Sequence, residues 1–313
     1  MEYVSSSIFD ELPTFETGGV PGEKILLVDG DIIAYRSATA AEKRLYVVGD
    51  SATFTYKKEA VAYCTEKGID QDQITFTYNT EDVTHALHNV KTTMNTIHAG
   101  VEGVGETRVY LTGESNFRND VFPEYKMHRE DNRKPSHLDA CREYLIRYHG
   151  AIVSVGCEAD DLLAIEAHKD LENSIIATLD KDLNMVPCGH LNWVKDGLYH
   201  TTREQGMEIF YRQLLTGDRV DNIPGLPGVG PVRALKLIPE DSGMSEWDMY
   251  HTVLVEYIKQ GIPKGQGDSL GQDRGYVTAK ILEVSRNARL LWLQTKEGEL
   301  WQPPCRIGEV VSA

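Results

Sequence analysis

Lys24-Ile25-Leu26-Leu27-Val28-Asp29-Gly30-Asp31 is an apolar run of strand length, closed at once by two acids around a glycine. Such a run, rich in Val, Ile and Leu and without alternation, suits a strand buried on both faces, as in a parallel sheet covered by helices. Arg108–Thr112, Ala151–Val155 and Ser174–Leu179 repeat the pattern, with helical segments at 83–98, 138–148 and 158–171 between them. Strand alternating with helix predicts an α/β fold with a mostly parallel sheet flanked by helices. Before it, residues 1–22 hold Pro13, Gly18, Gly19, Pro21 and Gly22 and read as an extended lead-in. From Glu204 onward the strand signal fades and a helical module is expected, interrupted by the turn-rich stretch Gly217–Pro231. Residues 261–275 hold five glycines and read as a surface loop. Beyond them Val277, Ile281, Val284, Ala288 and Leu291 recur at steps of three and four, a helix whose other faces carry Lys280, Arg286 and Arg289.

With 313 residues, 41% apolar and 26% charged, the chain is no disulfide miniprotein, collagen or disordered tail. No apolar stretch approaches the roughly 18 residues of a membrane span, and the start lacks both a basic region and an apolar core, so neither membrane insertion nor secretion is expected. The five cysteines are scattered and form no CxxC pair, which argues for free thiols in the cytoplasm and against zinc. A net charge of −16 opposes nucleic-acid binding if the charge is spread evenly. Gathering eight acids at one cation site would halve that excess, so the question is where the acids lie.

In an open α/β sheet the crevice lies beyond the carboxyl ends of the strands, where acids far apart in sequence converge. Asp29 follows the first strand; Glu158, Asp160 and Asp161 open a helix after the third; Asp180 and Asp182 follow the fourth; Asp218 and Asp221 lie in the turn-rich module. Singly, each reads equally well as a helix cap or a solvated turn residue. Gathered without basic partners they would repel one another, so a hard cation is required to hold them. Oxygen-only ligands suggest two magnesium or manganese ions, the usual device for phosphodiester hydrolysis.

Thr216-Gly217-Asp218-Arg219-Val220-Asp221-Asn222-Ile223-Pro224-Gly225-Leu226-Pro227-Gly228-Val229-Gly230-Pro231 precedes an evident helix. Gly228 and Gly230 let backbone approach a phosphate at a helix start, and Arg233 and Lys236 add charge one turn in. A GxG alone is weak; this whole pattern before an amphipathic helix is specific.

Asp29–Asp31, Glu158–Asp161, Leu179–Asp182 and Thr216–Pro231, in that order, resemble the 5′-nuclease family. That family includes flap endonucleases, the 5′-nuclease domain of bacterial DNA polymerase I and bacteriophage 5′-3′ exonucleases; the lack of an attached polymerase favours a phage enzyme. The resemblance spans about residues 24–240. It implies a PIN-like domain over 23–206, with an arch at 117–140, and a helical DNA-binding module over 207–313 with a helix-three-turn-helix at 212–238. It further implies that Asp29, Glu158, Asp160 and Asp161 serve one metal and Asp180, Asp182, Asp218 and Asp221 the other, with potassium at Gly228 and Gly230. Lys126 and Arg129 fit the family's phosphate-reaching pair, with Asp29 among the catalytic acids. Arg118, Tyr125, Gly228, Gly230, Arg233 and Lys236 complete the expected DNA contacts.

The implied activity is magnesium-dependent 5′-3′ exonuclease and flap endonuclease action by a monomer on duplex DNA with 5′ ends or flaps, extending to RNA primers in RNA-DNA hybrids during phage replication. Thr112, with Glu114 two residues on, stands where the family has an Asp after its second strand. Two alternatives remain: a structure-specific DNA-binding protein that has lost turnover, and a haloacid-dehalogenase-type phosphatase built on Asp29 and Asp31. The latter leaves Glu158–Asp161 without a role.

Overall fold

The computed structural model describes residues 23–49, 52–129, 132–195, 197–260 and 273–305. The expected lead-in at 1–22 and nearly all of the glycine-rich stretch at 261–275 lie outside the described residues. The strands are β1 (Lys24–Asp29), β2 (Glu42–Val48), β3 (Ala52–Phe54), β4 (Ile74–Thr80), β5 (Val104–Leu111), β6 (Ile152–Val153), β7 (Ser174–Ala177), β8 (Gly189–Asn192) and β9 (Gly197–His200). A six-stranded sheet has the order β6-β5-β1-β7-β8-β9. β1 runs parallel to both β5 and β7, pairing Val28 with Val109 and Ala177, and β7 runs parallel to β8. β9 closes the edge antiparallel to β8. The fold is thus α/β with a mostly parallel sheet, and β1 sits at its centre because Leu26, Leu27 and Val28 are each fully buried.

Residues group into two compact units, the first made of 30–99 and 133–152, the second of the remaining described residues. In the second unit, the Ala159–Ala167 helix packs on β1, β5 and β7 through Ala159, Leu163, Ala164 and Ala167, which meet Leu27, Tyr110 and Ile176. A further core joins the Arg203–Thr216, Glu246–Gln260 and Arg274–Leu291 helices around Phe210, Tyr211, Leu214, Tyr257 and Ala288. Tyr125 and Met185 belong to that same core, so residues after 206 are not grouped apart from those before it.

The first unit joins three mutually packed helices, Gly30–Ala40, Val83–Ala99 and Leu138–His149, with an antiparallel sheet of order β3-β2-β4 that sequence patterning did not suggest. Of β2, only Val48 is buried, and the strand opens on three charged residues; neither alternation nor an apolar run marks it. The helix expected over 158–171 ends at Ala167, because Asp170 turns the chain and accepts from the Asn173 amide at 3.2 Å. The strand expected at 151–155 is only two residues long, both exposed. No helix among the described residues is long and apolar enough to cross a membrane.

Candidate active site

Because β1, β5 and β7 are parallel, their carboxyl ends share one edge of the sheet, and the acids collect there. Asp29 is the last residue of β1 and is 5% exposed; its Oδ2 accepts from the Thr178 hydroxyl, just past β7, at 2.8 Å. Asp160 lies in the first turn of the Ala159–Ala167 helix. Burial, and next the charges of Asp29, Asp180 and Glu158, push its carboxyl well above the usual carboxylate range; Lys126 opposes them. Burial, then Asp180, raise Asp182 to about 6, with a smaller contribution from Asp218. Asp180 therefore acts on both halves of the acidic set. Its Oδ1 accepts from the Asp182 amide at 2.9 Å, fixing the turn that aims both.

Two predicted ligands have other partners. Asp161 is fully buried, and its carboxylate takes both Arg118 guanidinium nitrogens at 2.6 and 2.9 Å, the Glu158 amide at 3.0 Å and the Gln294 amide at 3.2 Å. Four donors fill a carboxylate's four lone-pair sites, so Asp161 has no oxygen left for a cation. Arg118 is correspondingly no DNA contact: it is 2% exposed, and its other bonds go to the Leu290 and Trp292 carbonyls at 2.8 and 3.0 Å. Breaking such a pair leaves a buried charge, so Arg118→Met is expected to lower unfolding free energy by about 3–5 kcal/mol. A denaturant titration showing a loss below about 1 kcal/mol would contradict this account.

Asp221 is the second. Its carboxylate receives Arg129 Nη2 at 2.5 Å and lies 3.5 Å from Lys126 Nζ and 3.1 Å from the Tyr125 hydroxyl. Glu158, the N-cap of its helix, receives Lys126 Nζ at 2.5 Å and lies 3.0 Å from the Tyr125 hydroxyl. Tyr125 is 5% exposed, which excludes the expected role in base contact. Burial, then the Glu158 charge, raise its phenol pKa, so it remains a donor. Asp218 caps its own turn, accepting from the Val220 amide at 2.7 Å.

Lys126 and Arg129 are set by backbone as well as charge. Lys126 has φ 54° and Asn222 has φ 59°, a left-handed conformation costing residues other than glycine about 1–3 kcal/mol each. Three bonds offset that cost: Lys126 N to Asp221 O at 3.1 Å, Asn222 Nδ2 to Glu124 O at 2.8 Å and Arg129 Nε to Val220 O at 3.0 Å. The two segments clamp each other, presenting both cations to the acids.

β5 ends at Leu111, so Glu114 is not carried onto the acidic edge; it is exposed. Thr112 Oγ1 instead accepts from the Ala159 amide at 3.0 Å, serving the helix that carries Asp160. Asp31, the second acid of the phosphatase reading, lies in a helix and is ion-paired with Arg142, which removes it as a partner in that chemistry.

The hairpin holds two kinds of glycine. Gly217 and Gly225 are packing glycines: a Cβ on Gly217 would fall 2.2 Å from Gly225 N, and one on Gly225 2.1 Å from the Thr216 carbonyl carbon. A Cβ on Gly228 or Gly230 would meet nothing within 4 Å. Both line a cleft of about 640 Å³ with Asp218, Arg219, Asn222 and Pro227. Gly228 has φ 75°, but Gly230 is extended (φ −98°), a conformation any residue adopts. Arg233 is paired with Glu256 at 3.0 Å, and Lys236 is exposed.

Among the described residues no group of three or more His, Cys, Asp or Glu side chains stands ready to hold a metal ion. The donors fit a hard divalent cation in kind: Asp29, Asp160, Asp180, Asp182 and Asp218 supply oxygen only, and the crowding at Asp160 favours any positive charge placed there. Nitrogen and sulfur ligands do not enter the set.

These features define an α/β protein with an acidic cluster at the carboxyl edge of its sheet, faced by a lysine and an arginine. Its sequence homologues include DNA polymerase I proteins, a 5′-3′ exonuclease and flap endonucleases. It is similar to DNA polymerase I of Pseudomonas aeruginosa (32% identical over 142 residues, 39% of this chain and 15% of that protein). It is 26% identical to the 5′-3′ exonuclease of Buchnera aphidicola over 54% of this chain and 64% of that one, and 28% identical to flap endonuclease Xni of Shewanella baltica over 40% and 53%. The chain thus spans less than two thirds of the length of each of these relatives. The T5 D15 protein co-crystallized with metal ions aligns over 87% of this chain and 90% of that one, with a TM-score of 0.49 and 18% identity. No family model matches.

Proposed function

We propose that the chain is a divalent-metal-dependent 5′-3′ exonuclease with flap-endonuclease character, acting on duplex DNA at 5′ ends and flaps and, as a monomer in the cytoplasm, removing RNA primers of RNA-DNA hybrids as well. The single observation that carries the reading is that Asp29 at the end of β1, Asp160 in the first turn of its helix and Asp180 just past β7 lie at one edge of the sheet, with Asp29, Asp180 and Glu158 pressing on Asp160 and Lys126 opposing them. Asp29, Asp160 and Asp180 would hold one magnesium or manganese ion, and Asp180, Asp182 and Asp218 a second; when bound, these ions activate a water and neutralise phosphate charge.

Hydrolysis forms a new bond from phosphorus to a water oxygen, and the proton that the water gives up balances the one taken by the leaving oxygen. The bond to the 3′ oxygen breaks, and that oxygen keeps the electron pair and takes a proton. The products are a 5′-phosphate and a 3′-hydroxyl, with no covalent enzyme intermediate. Lys126 orients the phosphate and offsets the developing charge; Arg129 assists. Release of Lys126 from Glu158 and of Arg129 from Asp221 frees both cations for the phosphate. Incubation with magnesium of a 5′-flapped duplex, a blunt duplex and a closed circle should yield products from the two substrates with 5′ ends and none from the circle. Equal cutting of the circle would defeat the proposal.

Duplex anchoring falls to Gly228 and Gly230, with potassium held by their backbone and Lys236 nearby. Since the fold leaves the Gly230 Cβ position open, Gly230→Val should fold normally yet weaken duplex binding about tenfold, by holding a phosphate off the backbone. The slope of log affinity against log salt should hardly change, whereas Lys236→Ala should reduce it by about one. Unchanged duplex affinity in folded Gly230→Val protein would make the hairpin an ordinary turn.

A further inference from the structure

The first unit carries an aromatic and arginine surface that the proposed chemistry does not use. On the β3-β2-β4 sheet, Arg44 stands opposite Tyr78 and Tyr46 opposite Phe76, so period two puts all four on one face. One end of that face is covered: Val48, Phe54 and Ile74 pack with Ala60 and Cys64 of the Lys57–Lys67 helix. The other end is open. Phe76 is 57% exposed and meets Tyr78 edge to face at 5.9 Å. The Arg44 guanidinium lies 4.7 Å from the Phe76 ring centre and donates to the Tyr78 hydroxyl at 2.8 Å. The Arg133 guanidinium stacks over the Tyr78 ring at 3.9 Å, held by both Glu42 oxygens at 2.7 and 2.9 Å.

We infer that this face binds single-stranded nucleic acid, a base stacking on Phe76 while the backbone meets the Arg44 guanidinium; Arg133, paired with Glu42, holds the Tyr78 ring in place. Two observations favour that occupant. An exposed flat ring on a sheet with the Arg44 guanidinium against it offers the π-face and positive charge that an unpaired base and its phosphate need. The charge is also segregated: residues 30–99 and 133–152 hold equal numbers of acidic and basic residues, so the entire excess of acids falls on the rest of the chain. This unit therefore lacks the net repulsion that the chain average implies. The inference adds a contact to the proposed nuclease reading and concerns binding alone.

The test is fluorescence anisotropy of a labelled oligothymidine and of a blunt duplex with the full chain in EDTA, where cleavage does not enter. Phe76→Ala should weaken oligothymidine binding about tenfold and leave the duplex unaffected. Arg44→Lys, which keeps the charge but loses the planar group, should weaken it severalfold. Phe76→Trp should retain binding, and its fluorescence should be quenched as the oligonucleotide is added, a signal that a misfolded protein would not give. Unchanged oligothymidine affinity in Phe76→Ala, or no quenching in Phe76→Trp, overturns the proposal. So does loss of self-association in Phe76→Ala without loss of nucleic-acid binding, which would make the face a contact between copies. Failure of metal-dependent cleavage alone would count against the nuclease reading and not against this one.

Discussion

Asp160→Asn is expected to lower single-turnover cleavage by about a thousandfold or more, because it removes charge from the carboxylate at the centre of the acidic set. Asp29, Asp180 and Glu158 all press on this group, and Lys126 alone among its named neighbours offsets them. The amide keeps the shape and removes the repulsion. The metal-free variant should therefore unfold at a higher temperature than the parent in EDTA, while the parent should gain more stability when magnesium is added. Loss of activity joined to a gain in metal-free stability is the signature of a functional acid cluster. A variant that cuts within tenfold of the parent would make these acids structural.

Lys126→Ala should lower single-turnover cleavage about a hundredfold or more while changing duplex affinity only a few-fold, since the proposed mechanism uses its charge where negative charge develops. The chain maintains Lys126 in a left-handed backbone conformation, and a free side chain there would gain nothing from that strain. Its Nζ lies 2.5 Å from Glu158 and 3.5 Å from Asp221, so the alanine variant also leaves those two carboxylates without the ammonium between them. Lys126→Arg should recover part of the rate by restoring the charge. An affinity loss matching the rate loss would reduce Lys126 to a steering charge.

The acids at strand ends were legible in the sequence because a buried strand fixes where its carboxyl end lies, and Asp29 ends one such strand while Asp180 comes three residues after another. The hairpin was legible because glycine and proline report backbone geometry themselves. Asp161 was misread for a reason of range: spacing places it one turn into a helix, but its partner Arg118 is 43 residues away and its fourth donor, Gln294, lies 133 residues away. Tertiary packing, which no local pattern encodes, turned that carboxylate inward. Tyr125 and Arg118 looked like surface groups in a charged segment, and it is the core built by the C-terminal helices that buries them. The β2–β4 sheet was invisible because its faces are largely exposed, so the alternation that marks a half-buried strand is absent.

The central claim is that the carboxylates at the sheet edge work through bound divalent cations. Its most direct test is the single-turnover cleavage rate of a 5′-flapped duplex across free magnesium from zero in EDTA to saturation, with manganese, and potassium alone, as companions. The account predicts no cleavage in EDTA or in potassium alone, a rise with magnesium or manganese, and no recovery by either ion in Asp160→Asn. Undiminished cleavage in EDTA would contradict it.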